Sequence, residues 1–162
     1  MAYVKRFLPI ALAIYCSVIF LSSIQFKFGN KPETQEIFGR LNAWSASWGA
    51  DGLFAQTGLF SQYVIGSAEI LASITLLLGI LTRFTRLQGF GALLGLAIMT
   101  GAISFHLFTP LGIDPNDDGG GLFVAACFVW LSCVILIVLR REEIGYGLGK
   151  LAEGLFGKPV TQ

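Results

Sequence analysis

Residues 119–139 read GGGLFVAACFVWLSCVILIVL, a run of 21 residues without a charged side chain. An α-helix needs about 20 apolar residues to cross the hydrocarbon core of a bilayer. Two further uncharged runs contain 20 and 27 residues, and a fourth apolar segment is interrupted only by the charge of Glu69. This pattern predicts an all-α protein, a bundle of four membrane-spanning helices at about 7–26, 63–81, 88–107 and 121–139.

The composition of the whole chain is that of a membrane protein. Of its 162 residues, 54% are hydrophobic and 13% are charged, and the charged share is about half of the usual share in soluble domains. A soluble domain of this length could not hide so much apolar surface. The net charge of +1 gives no field that would attract a nucleic acid, so we expect no nucleic-acid partner.

The distribution of Lys and Arg predicts the orientation of the spans. With both termini in the cytoplasm, eight of these residues lie inside and three lie outside. The positive-inside rule favours this orientation. The chain would then be a multi-pass membrane protein in contact with the lipid bilayer.

The first outer connection is long enough to contain a helix of its own. Over about 31–48, four apolar residues recur at helical spacing, namely Ile37, Leu41, Trp44 and Trp48. A helix with Trp on its apolar face typically lies in the membrane interface. We therefore expect residues 1–140 to form the bundle, with an interfacial helix in its first outer loop. Residues 141–162 are expected to form a cytoplasmic amphipathic tail.

Glu69 is the most unusual residue of the predicted spans, because a carboxylate inside hydrocarbon costs roughly 3 kcal/mol. It should face the bundle interior, and it should be either protonated or paired. His106 ends the third span on the same outer side, so these two residues are the candidate catalytic groups. The predicted ligand-binding set comprises Gln25, Lys27, Arg40, Glu69, Ser73 and His106.

Two further expectations concern metals and assembly. A single His with scattered carboxylates is not a metal-binding pattern, so no metal site is predicted. Gly91 and Gly95 are one helical turn apart on the third span. Small residues at this spacing allow helices to approach closely, either within one chain or between the subunits of a homo-oligomer.

Four segments of the sequence carry a family resemblance. They are QFKF at 25–28, YVIGSAE at 63–69, LLLGILTR at 76–83 and GAISFHLFTP at 101–110. With these segments the chain resembles the DoxX-like family of small four-helix bacterial membrane proteins over about residues 7–140. The family name derives from a subunit linked to thiosulfate and quinol oxidation, and other members are associated with defence against redox stress.

The resemblance implies a redox-accessory subunit that binds a lipid-like or quinone molecule and works beside other membrane redox subunits. Two alternatives remain open from the sequence. One is a structural or assembly subunit of a membrane complex, without a small-molecule site. The other is a membrane enzyme that uses Glu69 and His106 as an acid/base pair.

Overall fold

A computed structural model describes residues 2–157 of the chain, with side chains from residue 6 onward. The described part is all helical and contains no strand, which confirms the all-α part of the prediction. Its six helices are α1 (Ala2–Phe28), α2 (Pro32–Ser47), α3 (Gln62–Leu78), α4 (Thr85–Phe108), α5 (Gly121–Leu139) and α6 (Arg141–Phe156). A short 3₁₀ turn, Thr82–Phe84, precedes α4.

Three helical segments are long and apolar enough to cross a membrane: Arg6–Phe28, Thr82–Phe108 and Gly121–Leu139. The second predicted span corresponds to α3, which is apolar but has only 17 residues. At 1.5 Å per residue it is about 26 Å long, slightly less than the typical hydrocarbon thickness of about 30 Å. The protein is therefore a membrane protein with three clear candidate spans, and the crossing of α3 stays a prediction.

The four apolar helices pack as a ring, in which α3 lies between α1 and α4 and α5 lies between α4 and α1. Their inner faces form one apolar core that includes Phe20, Leu76, Val129 and Leu136. The outer faces expose large apolar side chains, among them Val18, Leu71, Ile74, Phe128 and Val138. Such a continuous apolar surface is typical of contact with lipid.

Close approach inside the bundle depends on glycines of α4. A Cβ atom at Gly91 would lie 2.6 Å from Thr75 Oγ1, and one at Gly95 would lie 2.9 Å from Cys133 Sγ. Both glycines are buried within this chain, against α3 and α5. They therefore serve packing between helices of one chain, and a homo-oligomer stays a prediction.

Helix α2 covers most of the stretch that the sequence predicted as a helix, about 31–48. It lies over the end of the bundle at which α1 and α4 end, which is the outer end in the predicted topology. Leu41 packs with Phe54 and Leu111 into a second, smaller apolar cluster, against which Ile37 and Trp44 also lie. Trp48 differs from the prediction, because it falls just after the helix and is 54% exposed. The apolar face of α2 thus holds it against the bundle through three of the four predicted residues.

The segment after residue 140 is a regular helix, α6, in spite of its four glycines. Its Ile144 is buried against Gly89 of α4, where a Cβ atom would lie 2.5 Å from Ile144 Cγ1. Leu148, Leu151 and Leu155 remain exposed. The predicted amphipathic tail is therefore anchored at its first turn, and its last residues, 158–162, lie outside the described residues.

Candidate ligand-binding cavity

A cavity of about 870 Å³ lies at the outer end of the bundle, beneath α2. Cavities of 300–1,000 Å³, mostly apolar with a few polar groups, are typical of small-molecule sites. Helices α1, α3, α4 and α5 supply its walls and α2 supplies its roof. Most lining side chains are apolar, including Phe20, Ile98, Met99, Phe105 and Ala126 in the walls and Ile37, Phe38 and Leu41 in the roof.

Glu69 lines this cavity and is only 3% exposed, as predicted for a carboxylate that must avoid lipid. Its charge is paired across the bundle with Lys27 of α1, whose Nζ lies 3.0 Å from both carboxylate oxygens. The Ser23 hydroxyl lies 2.6 Å from Glu69 Oε2 and 2.8 Å from the Phe20 carbonyl oxygen. Its single proton can be donated to either acceptor. Lys27 also donates to Ser23 at 3.0 Å, so the three side chains form one connected group.

The local sequence explains why these groups meet. Ser23 and Lys27 are four residues apart on α1, and residues at this spacing share one helical face. Gly66 precedes Glu69 by one turn of α3, and a Cβ atom there would lie 2.6 Å from the Phe28 ring. The absent side chain lets the end of α1 approach α3, which brings Lys27 within reach of Glu69. Ser23 was not among the site residues predicted from the sequence, although its four-residue spacing from Lys27 indicates that both side chains share one face of α1.

His106 lies near the end of α4, lines the cavity and is 9% exposed. Its Nδ1 is 2.6 Å from the carbonyl oxygen of Gly112, and its ring packs edge-to-face on Phe123 at 5.6 Å. A carbonyl can only accept a hydrogen bond, so Nδ1 must carry a proton. In the neutral ring Nε2 is then an acceptor, because the partner of one nitrogen fixes the state of the other.

Glu69 and His106, the candidate catalytic groups, are not joined by a hydrogen bond. Both residues line the same cavity, but Glu69 is bound by Ser23 and Lys27, and His106 is bound by the Gly112 carbonyl. The sequence predicts that both residues lie in the outer half of the bundle, but it does not show that the Lys27 side chain can reach the Glu69 carboxylate. Its flexible side chain extends from the end of α1 to the carboxylate, which then needs no imidazole partner.

The other predicted site residues lie away from the cavity. Gln25 is exposed on α1 and does not line it. Arg40 pairs with Glu36 on the exposed face of α2, with Nε 2.6 Å from Oε1. Ser73 is buried, and its hydroxyl donates to the backbone carbonyl of Glu69 at 2.8 Å. The structure therefore brings together three of the six predicted residues: Lys27, Glu69 and His106.

Carboxylates surround the outer rim of the cavity, where Glu33, Asp117 and Asp118 contribute to the lining. The Asp118 carboxylate caps α5 by accepting from the backbone N–H groups of Gly120, Gly121 and Leu122 at 3.0–3.1 Å. Desolvation by burial acts to raise the pKa of Asp118. The hydrogen bonds from these N–H groups and with Asp114 have the larger combined effect, so the pKa of Asp118 lies below its ordinary value. Asp118 therefore caps the N-terminus of α5, and the rim is acidic.

Comparison with known proteins gives no relative whose function could be compared with this cavity. No protein-family model, curated protein or solved structure matches the chain. The DoxX-like resemblance accordingly remains a prediction from the quoted segments. The chain is an all-helical membrane protein whose apolar cavity is lined by the connected Ser23, Lys27 and Glu69 side chains and by the His106 imidazole.

Proposed function

We propose that this protein binds one lipid-like molecule, such as a quinone, in the cavity beneath α2. The observation that carries the proposal is the cavity itself, about 870 Å³ in volume and largely apolar, with Lys27, Glu69 and His106 on its walls. An apolar chamber with a few polar groups suits a molecule with an apolar body and a polar head.

Access from the bilayer supports a lipid-like ligand. Phe26 of α1 and Leu122 of α5 both line the cavity and are also 39% and 43% exposed. Because each residue faces both the cavity and the outside of the bundle, the proposal places the entry of a membrane-dissolved molecule between α1 and α5. The α2 roof covers the same space from the outer side, so a ligand need not pass through water.

The residues present fit a quinone head group. Phe20 and Phe105 offer ring surfaces, and aromatic rings pack favourably with one another in apolar surroundings. His106 Nε2 provides a polar contact without a partner among residues 2–157. A quinone would supply two-electron redox chemistry when bound, while this chain would hold the head group and exclude water.

The redox-accessory role belongs to the same proposal and follows from the DoxX-like resemblance. In that role the protein would act in a bacterial inner membrane, with both termini in the cytoplasm, beside other membrane redox subunits. All four apolar helices would then span the bilayer, with α2 as the interfacial helix of the first outer loop.

Ligand binding can be tested by extracting the purified protein in mild detergent and identifying copurified molecules by mass spectrometry. Ala125→Trp places an indole in the cavity, since Ala125 lines it. Val124→Trp is the matched control, because Val124 is the preceding residue of α5, is 48% exposed and lies outside the lining. A copurified amphiphile should be lost from Ala125→Trp alone. Equal recovery from both variants would contradict the cavity as its binding site.

A second candidate, a structural or assembly subunit, is favoured by the connected Ser23, Lys27 and Glu69 side chains. These residues join α1 to α3 and would stabilise the bundle without any ligand. A stable complex with another membrane protein, purified without a small molecule in the cavity, would support this reading.

A further inference from the structure

The polar groups of the cavity wall differ in what they can offer a ligand. The Ser23 hydroxyl proton goes to either Glu69 or the Phe20 carbonyl, and the Lys27 ammonium donates to Ser23 and Glu69. The donors on the α1 and α3 walls are thus engaged within the protein. A ligand carbonyl that needs a donor must compete with the Glu69 carboxylate, which is the stronger acceptor because it is ionised.

His106 offers the opposite character. Its Nδ1 donates to the Gly112 carbonyl at 2.6 Å, and in this tautomer of the neutral ring Nε2 is an acceptor. Nε2 has no hydrogen-bond partner within residues 2–157, although the side chain is more than nine-tenths buried and lines the cavity. A ligand in the cavity that supplies a donor can therefore form a hydrogen bond with Nε2.

The remaining polar groups of the lining are of two kinds. The carboxylates of Glu33, Asp117 and Asp118 accept hydrogen bonds only, but these residues are exposed at the rim, where water supplies their donors. Thr34 on the roof presents a hydroxyl, and Asn116 at the rim presents an amide. Each of these groups can both donate and accept. The balance between ligand types is therefore decided by His106.

We infer that the cavity selects a head group that donates a hydroxyl, with His106 Nε2 as the acceptor. This inference rests on the proposed function and deepens it: the reduced, hydroxyl-bearing form of a quinone binds more tightly than the oxidised, carbonyl-bearing form. His106 is then a specificity-determining residue for the hydroxyl group. The Glu69 group lies on the α1 and α3 walls and does not contribute to this preference.

The test is a comparison of two probes on the full-length protein in detergent micelles under anaerobic conditions. The probes are a benzoquinone with a ten-carbon tail and its hydroquinone, and affinity is measured by titration calorimetry against empty micelles. One hydrogen bond in an apolar cavity corresponds to a preference for the hydroquinone of about fivefold to tenfold. His106→Asn retains an amide N–H near the Nδ1 position but has no atom at the Nε2 position, so it should abolish that preference.

The possible results distinguish a failure of this inference from a failure of the proposed function. Equal affinities of the unaltered protein for both probes, or tighter binding of the quinone, would overturn the inference while leaving the proposed function intact. A hydroquinone preference that persists in His106→Asn would remove His106 from its cause and also overturn the inference. Binding of neither probe, with Ala125→Trp also without effect on copurified molecules, would reject the proposed function itself.

Discussion

Lys27 and Glu69 form an ion pair between α1 and α3, with the Lys27 Nζ atom 3.0 Å from the carboxylate and both side chains largely buried. This pair answers how a carboxylate is tolerated inside an apolar helix. It also explains why Glu69 does not need His106 as a partner. Removal of either residue alone leaves the other charge without compensation in a medium of low dielectric constant.

We therefore expect strong coupling between the two residues. Glu69→Leu and Lys27→Leu should each lower the free energy of unfolding by about 3–5 kcal/mol, and the double variant should lose clearly less than the sum. Unfolding by sodium dodecyl sulfate in mixed micelles measures all four proteins of the cycle. Additive losses would show that the ion pair contributes nothing as a pair.

The pair of Arg40 and Glu36 provides the matched control for that cycle. It has a similar short contact, but its side chains are 45% and 50% exposed. Exposed pairs at this helical spacing contribute about 0.3–0.5 kcal/mol. The coupling energy of Glu36→Leu with Arg40→Leu should therefore be close to the experimental error.

Two glycines of α4 are expected to respond differently to substitution by Ala. At Gly91 the new methyl group would meet Thr75 Oγ1 at 2.6 Å and the Leu76 backbone nitrogen at 2.9 Å, so Gly91→Ala should destabilise the protein by about 1–3 kcal/mol. At Gly101 the nearest atom is Phe105 Cε2 at 3.9 Å, so Gly101→Ala should be neutral or slightly stabilising. Thermal unfolding followed by circular dichroism compares the two. A harmless Gly91→Ala would show that α3 and α4 are not packed as described.

The capping carboxylate of Asp118 predicts a pH dependence of stability. Because folding lowers its pKa, its contribution is complete above its ordinary pKa and is lost as the pH falls through its lower value in the folded state. The melting temperature should therefore fall on acidification below about pH 4, and Asp118→Asn should lose less over the same range. Asp117→Asn is the control, since Asp117 makes none of the three capping bonds and Asn tolerates its positive φ of 54°. Equal acid sensitivity in all three proteins would refute the role of the cap.

The orientation of the spans can be tested with single cysteines and a membrane-impermeant maleimide on intact cells. A cysteine at exposed Asp51, in the outer connection, should react, and one at exposed Thr82, between α3 and α4, should not. Ser45 is unsuitable as a labelling position because it is fully buried. The unaltered chain serves as the blank for its three native cysteines. Reaction at Thr82 alone would reverse the predicted topology.

The sequence predicted the helices well because their signals are local. Uncharged runs gave three of the spans, and the helical spacing of Ile37, Leu41 and Trp44 gave α2. The partners of Glu69 and His106 depended on distances between helices, which the spacing of residues along one helix does not contain. Lys27 was counted as an outer charge, and only the approach of α1 to α3 at Gly66 reveals it as the counter-ion of Glu69.

The length of α3 has a consequence for the surrounding bilayer. As a predicted span, α3 would be about 26 Å long beside longer neighbours, and lipids would relieve this hydrophobic mismatch by thinning locally at a cost of a fraction of a kcal/mol per Å. Thinning would move the head-group region toward Glu69 and Lys27 on the outer side. The protein would then be most stable in thin membranes, and a series of vesicles with increasing acyl-chain length should weaken its insertion step by step.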